Sequence, residues 1–216
     1  MKIFKFGGAS IKDAAGVKNI INILQSEGTE NTLVVISAMG KITNAFEAVI
    51  DAYYEKTDQL SEKLGFIEDF HKTILNDLFD KNDEIYKEID ILLGELSWFL
   101  ARNTSQRYNY VYDQIICFGE LLSTKIVCAY FTKIGIENNW FDVRNYIKTD
   151  SNYRDAKVDW ALTQDIISKK LDVSKLNITQ GFIAANDTEN TTTLGREGSD
   201  YTAAIFAYCL NAESVT

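Results

Sequence analysis

Residues 193–204, Thr-Leu-Gly-Arg-Glu-Gly-Ser-Asp-Tyr-Thr-Ala-Ala, place a cation (Arg196), a hydroxyl (Ser199) and a carboxylate (Asp200) within five residues. The arginine offers a planar fork suited to a carboxylate. Ser199 and the following N–H groups stand at the start of a helical stretch, where anions are stabilised. Asp200 has the chemistry to orient a lysine or a metal. A capped helix with a surface arginine accounts for the same residues, although the Gly195/Gly198 bracket fits that reading less well.

Three further stretches carry similar chemistry. Lys5-Phe6-Gly7-Gly8-Ala9-Ser10 ends an apolar run. A lysine before two glycines suits a phosphate, because backbone N–H groups approach it with no Cβ in the way. The lysine precedes the glycines, so this is not a Walker A loop, and a plain strand-to-helix turn has the same residues. Ser37-Ala38-Met39-Gly40-Lys41-Ile42-Thr43-Asn44 puts hydroxyls, a lysine and a glycine on a second loop, although helix-start chemistry also explains Thr43 and Asn44. Asp113 and Glu120 are seven apart and share a helical face, with Gly119 beside Glu120 and Ser123 one turn on. A carboxylate there suits an ammonium group or a structural ion pair. A glycine inside an apolar helix points to close approach of another backbone or a small ligand.

The elements that must hold these stretches follow from periodicity. Residues 2–6 form a short buried strand and 13–26 a helix with Val17, Ile20, Ile21 and Leu24 on one face. Residues 31–38 form a second strand, a near-continuous apolar, β-branched run as in parallel sheets buried on both faces. From 43 to about 131 the pattern is helical. Leu60, Leu64, Ile67, His71, Ile74 and Leu78, then Ile85, Ile89, Leu92, Leu96 and Phe99, predict a two-helix hairpin, with His71 packed rather than catalytic. A single long helix is expected over 108–132. Strands are expected at 140–143, 178–184 and 191–194, helices at 157–171 and 199–210, with Ser199 or Asp200 as the last helix's N-cap, and a strand start at 212–216.

Composition bounds the function. The chain has 216 residues, 46% of them apolar, and a net charge of −9. An acidic chain repels phosphate backbones, so no nucleic-acid partner is expected. No uninterrupted run of 18 apolar residues occurs, so no membrane span is expected. Three scattered cysteines and one histidine give no zinc spacing and suit reduced thiols in the cytoplasm.

In combination, the motifs resemble those of the aspartate kinases of the amino-acid kinase superfamily. Lys5–Ser10 is similar to that family's Lys-Phe-Gly-Gly-Thr-Ser, with Ala9 in the threonine position. Ser37-Ala38 and Thr43-Asn44 match its Ser-Ala…Thr-Asn loop. Gly119-Glu120-Leu121-Leu122-Ser123 matches Gly-Glu-x-x-Ser, and Asp142-Val143-Arg144 with Thr149-Asp150 matches Asp-x-Arg before Thr-Asp. Residues 194–203 match Leu-Gly-Arg-Gly-Gly-Ser-Asp-Tyr-Thr-Ala except at Glu197.

The resemblance implies a three-layer αβα sandwich with a mainly parallel central sheet and a helical hairpin insertion around 45–105. It implies transfer of the ATP γ-phosphoryl group to the β-carboxylate of L-aspartate, with Mg²⁺ accompanying the nucleotide, at the head of lysine, threonine and methionine biosynthesis. It assigns Lys5 and Asp200 to catalysis, Asp200 orienting Lys5. Ser37, Thr43, Glu120, Arg196 and Ser199 would hold aspartate, Glu120 on its ammonium and Arg196 on a carboxylate. Lys5, Gly7, Gly8 and Ser10 would hold phosphate.

A homodimer is expected of the full-length protein. Residues 1–216 would be the substrate lobe and the start of the nucleotide lobe, with the rest of that lobe and the ACT regulatory domains lying beyond them. Little turnover is therefore expected of this span alone, and Glu197→Gly is expected to leave activity similar or raise it. A non-catalytic aspartate-binding or assembly module of the same fold is the alternative. Acetylglutamate, glutamate and uridylate kinases would share the fold but differ in the substrate loops.

Overall fold

The computed structural model describes residues 1–216. Five parallel strands form the central sheet: β1 (Lys2–Phe6), β2 (Thr32–Ile36), β3 (Asn139–Trp140), β4 (Leu176–Gln180) and, past the two strands described next, β7 (Ser214–Val215). Their spatial order is β3-β4-β2-β1-β7. A separate antiparallel ribbon pairs β5 (Ile183–Ala185) with β6 (Thr191–Thr193). β2 is buried along its whole length, as its β-branched run predicts.

The helices are α1 (Ala14–Glu27), α2 (Ile42–Glu55), α3 (Leu60–Leu78), α4 (Ile85–Arg102), α5 (Tyr108–Ile116), α6 (Phe118–Lys133), α7 (Trp160–Lys170) and α8 (Gly198–Leu210). The β1–α1–β2 crossover steps one way along the sheet, and the crossover from β4 through α8 to β7 steps the other. Right-handed crossovers therefore put α1 and α8 on opposite faces. α8 packs on β1 and β2, and α6 packs on β2 and β4. This is the expected three-layer α/β sandwich. One contiguous cluster of 51 buried residues joins the layers, so sheet and helices share a single core.

Several local expectations are corrected. The strand expected over 178–184 is two strands. β4 stops at Gln180, Gly181 and Phe182 turn the chain out of the sheet, and Phe182 takes a positive φ of 69°. The helix expected over 108–132 breaks at Cys117 into α5 and α6. This stretch is long and apolar enough to cross a membrane, but most of its apolar window is buried inside the protein. The strand expected at 140–143 ends at Trp140, because Asp142 turns the chain by accepting a hydrogen bond from the Arg144 N–H.

The two helices at 60–102 are consecutive, as expected, but they pack on different partners: α3 mainly on α2, α4 mainly on α6. His71 of α3 is buried with Nδ1 2.7 Å from the Ile67 carbonyl. Burial pushes its pKa down to about 4 and keeps the ring neutral.

Helix α8 is not capped by Ser199 or Asp200. The N-cap position is Glu197, whose φ of 56° is left-handed and whose side chain makes no cap hydrogen bond. Gly8 shows the opposite economy. A Cβ there would lie 2.6 Å from the Gly40 carbonyl oxygen and 2.7 Å from that of Ala38, so the β1 and β2 loops meet backbone to backbone only because Gly8 has none.

Gly8→Ala pushes a methyl into backbone and is expected to cost about 1–3 kcal/mol in urea unfolding. Glu197→Gly removes left-handed strain of about 1–2 kcal/mol at a smaller unfolded-state entropy cost, so it is expected to raise stability by about 0.5–1 kcal/mol in the same experiment.

Candidate active site

The loops that follow β1, β2 and β4 leave the sheet at its carboxyl edge, where open α/β folds place ligands. An open cleft of about 380 Å³ lies there. Seven residues singled out from sequence take part in it: Lys5, Ser37, Thr43, Glu120, Arg196, Ser199 and Asp200 all line it.

Lys5 occupies the penultimate position of β1, and its Nζ lies 3.0 Å from Asp200 Oδ1 in the first turn of α8. The two side chains are 21% and 61% exposed, so this pair orients the ammonium and contributes little stability. A Cβ on Gly7 would lie 3.4 Å from that ammonium. Gly7, Gly8 and Ser10 do not line the cleft. Gly8 is the wedge between the β1 and β2 loops, and Ser10 is exposed in a 3₁₀ turn with its N–H on the Gly7 carbonyl.

Glu120 reaches the cleft from the first turn of α6 and is only 3% exposed. Its Oε1 accepts the Ala38 N–H at 3.3 Å, and its Oε2 is buried with no hydrogen-bond partner. Burial is the largest influence and pushes the pKa up to about 8, against the weaker pull of that N–H. One turn on, Ser123 Oγ donates to the Ser37 carbonyl at 2.7 Å. Gly119 permits this approach, since a Cβ there would lie 3.0 Å from that of Ala38. The glycine thus answers to close packing of the β2 loop, the reason its place in an apolar helix suggests.

Asp113 shares a helical face with Glu120 in sequence but plays a different part. It is fully buried and accepts three hydrogen bonds: from the Thr193 N–H and hydroxyl, both at 2.9 Å, and from the Arg154 N–H at 3.0 Å. It ties α5 to β6 and to the 150–156 loop. Desolvation outweighs these bonds and lifts its pKa to about 6. Arg144 pairs with Asp142 at 2.6 Å and donates to Thr191 Oγ1 at 3.0 Å, bracing the same ribbon.

Three cleft residues escape the sequence reading, Tyr112, Arg154 and Phe182, while Thr193 opens the 193–204 block. Arg154 and Phe182 sit in loops with no motif. Both have positive φ, 72° and 69°, as does Glu197 at 56°. Three strained non-glycine residues therefore meet at one cleft, a pattern typical of functional sites. No group of three or more His, Cys, Asp or Glu side chains is gathered in a metal-binding arrangement.

The model of the amino acid kinase family matches residues 1–216. Lysine-sensitive aspartokinase 3 of Escherichia coli K12 is 33% identical over 99% of this chain and 47% of its own length. The chloroplastic bifunctional aspartokinase/homoserine dehydrogenase 2 of Arabidopsis thaliana is 29% identical over 99% of this chain and 24% of its own. The chain therefore spans about half the length of the first of these relatives and about a quarter of the second. The structure of E. coli aspartokinase III with aspartate and ADP superposes with a TM-score of 0.90 at 32% identity, covering 100% of this chain and 48% of that one. The aspartate kinase of Clostridium acetobutylicum shares the fold with a TM-score of 0.80 at 20% identity, covering 100% of this chain and 46% of that one. With its parallel sheet, its carboxyl-edge cleft and a family match along its whole length, the chain belongs to the amino acid kinase family and resembles the aspartokinases within it.

Proposed function

We propose that this chain forms the aspartate-binding part of an aspartate kinase. That enzyme would transfer the γ-phosphoryl group of ATP to the β-carboxylate of L-aspartate, giving 4-phospho-L-aspartate and ADP. Because the chain spans about half the length of its bacterial relative, the complete reaction is proposed for the whole protein, and binding is the property to test on these residues.

The observation that carries this reading is the partnerless Oε2 of buried Glu120 in a cleft lined by Lys5, Arg154 and Arg196. A buried carboxylate oxygen with nothing to accept from calls for a cationic donor. An α-ammonium supplies one, and the cations opposite suit the carboxylates of the same molecule. E. coli aspartokinase III, similar in sequence and fold, has been solved with aspartate and ADP.

The chemistry asks little of the protein beyond charge and position. The β-carboxylate is already an oxygen nucleophile and needs no base. Lys5, held by Asp200, offsets negative charge on the transferring group. Arg196, with 95% of its side chain exposed, has only Glu197 near it, at 3.9 Å, and is free to close on a substrate carboxylate. Ser37, Thr43 and Ser199 supply hydroxyls around the same space. Gly7 beside Lys5 leaves its backbone open to a phosphate, with Gly8 and Ser10 completing that turn. The nucleotide would bring Mg²⁺ on its phosphates, the usual way this ion enters such sites.

The test is the pH dependence of aspartate binding by calorimetry. Burial pushes the Glu120 pKa up to about 8 without ligand, and only the ionised form attracts an ammonium. Below that pH, binding must expel a proton, so affinity falls as pH falls. Between pH 6 and pH 8 the affinity of the parent chain is expected to rise by roughly ten-fold or more. Glu120→Gln is expected to bind more weakly and to lose this rise. A flat profile in the parent would remove Glu120 as the ammonium acceptor.

A further inference from the structure

Arg154 lies in an irregular loop and is exposed, yet its backbone is anchored and its guanidinium lies against aromatic rings. Its N–H is held by Asp113 Oδ2 at 3.0 Å, and that carboxylate is itself buried and saturated by Thr193. Its φ of 72° is left-handed, a conformation arginine adopts only when its surroundings impose it. Its guanidinium carbon sits 4.3 Å from the centroid of the Tyr112 ring and 5.6 Å from that of Tyr108. The Tyr112 ring is fixed in turn by its hydroxyl, which donates to Glu47 Oε1 at 2.9 Å.

A guanidinium stacked in this way is aimed before any ligand arrives, and its edge keeps its N–H donors. None of them is spent: Arg154 takes part in no ion pair, and its side chain makes no hydrogen bond within the protein. It lines the same cleft as Glu120 and Arg196. Its loop abuts the loop that carries Arg196, since a Cβ on Gly195 would lie 3.4 Å from the Arg154 carbonyl oxygen. Of the three cations in the cleft, Lys5 is already engaged by Asp200, which leaves two arginines on neighbouring loops.

A ligand with one ammonium and two carboxylates matches that set: one buried acceptor, the unpaired Arg154 fork and the exposed Arg196 fork, which touches Glu197 only through Nε at 3.9 Å. We propose that Arg154 is a substrate-binding residue that takes one carboxylate of a dicarboxylic amino acid while Arg196 takes the other. This rests on the reading of the cleft as an amino-acid site. The stacking on Tyr112 makes Arg154 the pre-set member of the pair and Arg196 the mobile one.

Calorimetry with L-aspartate on the parent chain, Arg154→Gly and Arg154→Lys tests this, with circular dichroism confirming that each is folded at the temperature used. Glycine suits the positive φ, so Arg154→Gly removes the guanidinium while relieving the backbone. Its affinity for L-aspartate is expected to fall roughly ten- to one-hundred-fold, the usual weight of a hydrogen bond to a charged group. Arg154→Lys, which keeps the charge and loses the fork, is expected to recover part of that loss. Unchanged affinity in Arg154→Gly overturns the proposal, and so does a loss that lysine leaves wholly unrestored, since the loop rather than the charge would then matter. A parent chain that binds no aspartate would instead sink the reading of the cleft itself.

Discussion

The buried carboxylate of Glu120 is the constraint around which the cleft is arranged. Carrying an acidic side chain into the protein costs free energy unless its charge is met or quenched. Here one oxygen meets a single backbone N–H and the other meets nothing, so the group holds its proton well above the usual carboxylate range. The surrounding structure tolerates this because α6 is clamped to the β2 loop on either side of it. Gly119 lets Ala38 approach, and Ser123 seizes the Ser37 carbonyl. The carboxylate is thereby aimed at the space above the sheet edge instead of relaxing toward solvent.

Around that fixed point the other charges differ in how firmly neighbouring groups hold them. Lys5 stands at the end of a strand, is largely buried and is paired with Asp200. Arg154 is stacked on an aromatic ring whose hydroxyl is itself held. Arg196 is almost fully exposed. The backbone strain is distributed in a similar way. Arg154, Phe182 and Glu197 adopt left-handed conformations that glycine would occupy more cheaply, and all three border the cleft. Buried anchors elsewhere sustain them. Asp113 ties the ribbon and the Arg154 loop together, and Thr202 Oγ1 accepts the Phe182 N–H at 3.0 Å.

Much of this is legible in the sequence wherever function is packed into a short stretch. Lys5 before two glycines, Glu120 beside Gly119, and Arg196, Ser199 and Asp200 in one block are each local patterns, and the fold assembles all three at one edge. Legibility fails where a role depends on partners far away in the chain. Asp113 looks interchangeable with Glu120 by helical spacing, yet Thr193 donates to both Asp113 oxygens while Glu120 Oε2 has no partner. The break after Gln180 is marked in the sequence by nothing more than the single glycine Gly181. It arises because the chain must leave the sheet to run beneath Ser199, and a Cβ on Gly181 would lie 2.5 Å from the Ser199 side chain.

Residue types and periodicity by themselves determined the alternation of strands and helices, the glycines where backbones must meet, and the family to which those motifs point. They could do so because hydrophobic period and turn chemistry act over a few residues. The tertiary structure alone decided which carboxylate is left unsatisfied, that Glu197 heads α8 in a left-handed conformation, and that Arg154 joins the cleft. Those outcomes depend on desolvation and on contacts between segments some forty to eighty residues apart, as between Asp113 and Arg154 or Ala38 and Glu120, and no local pattern carries that information.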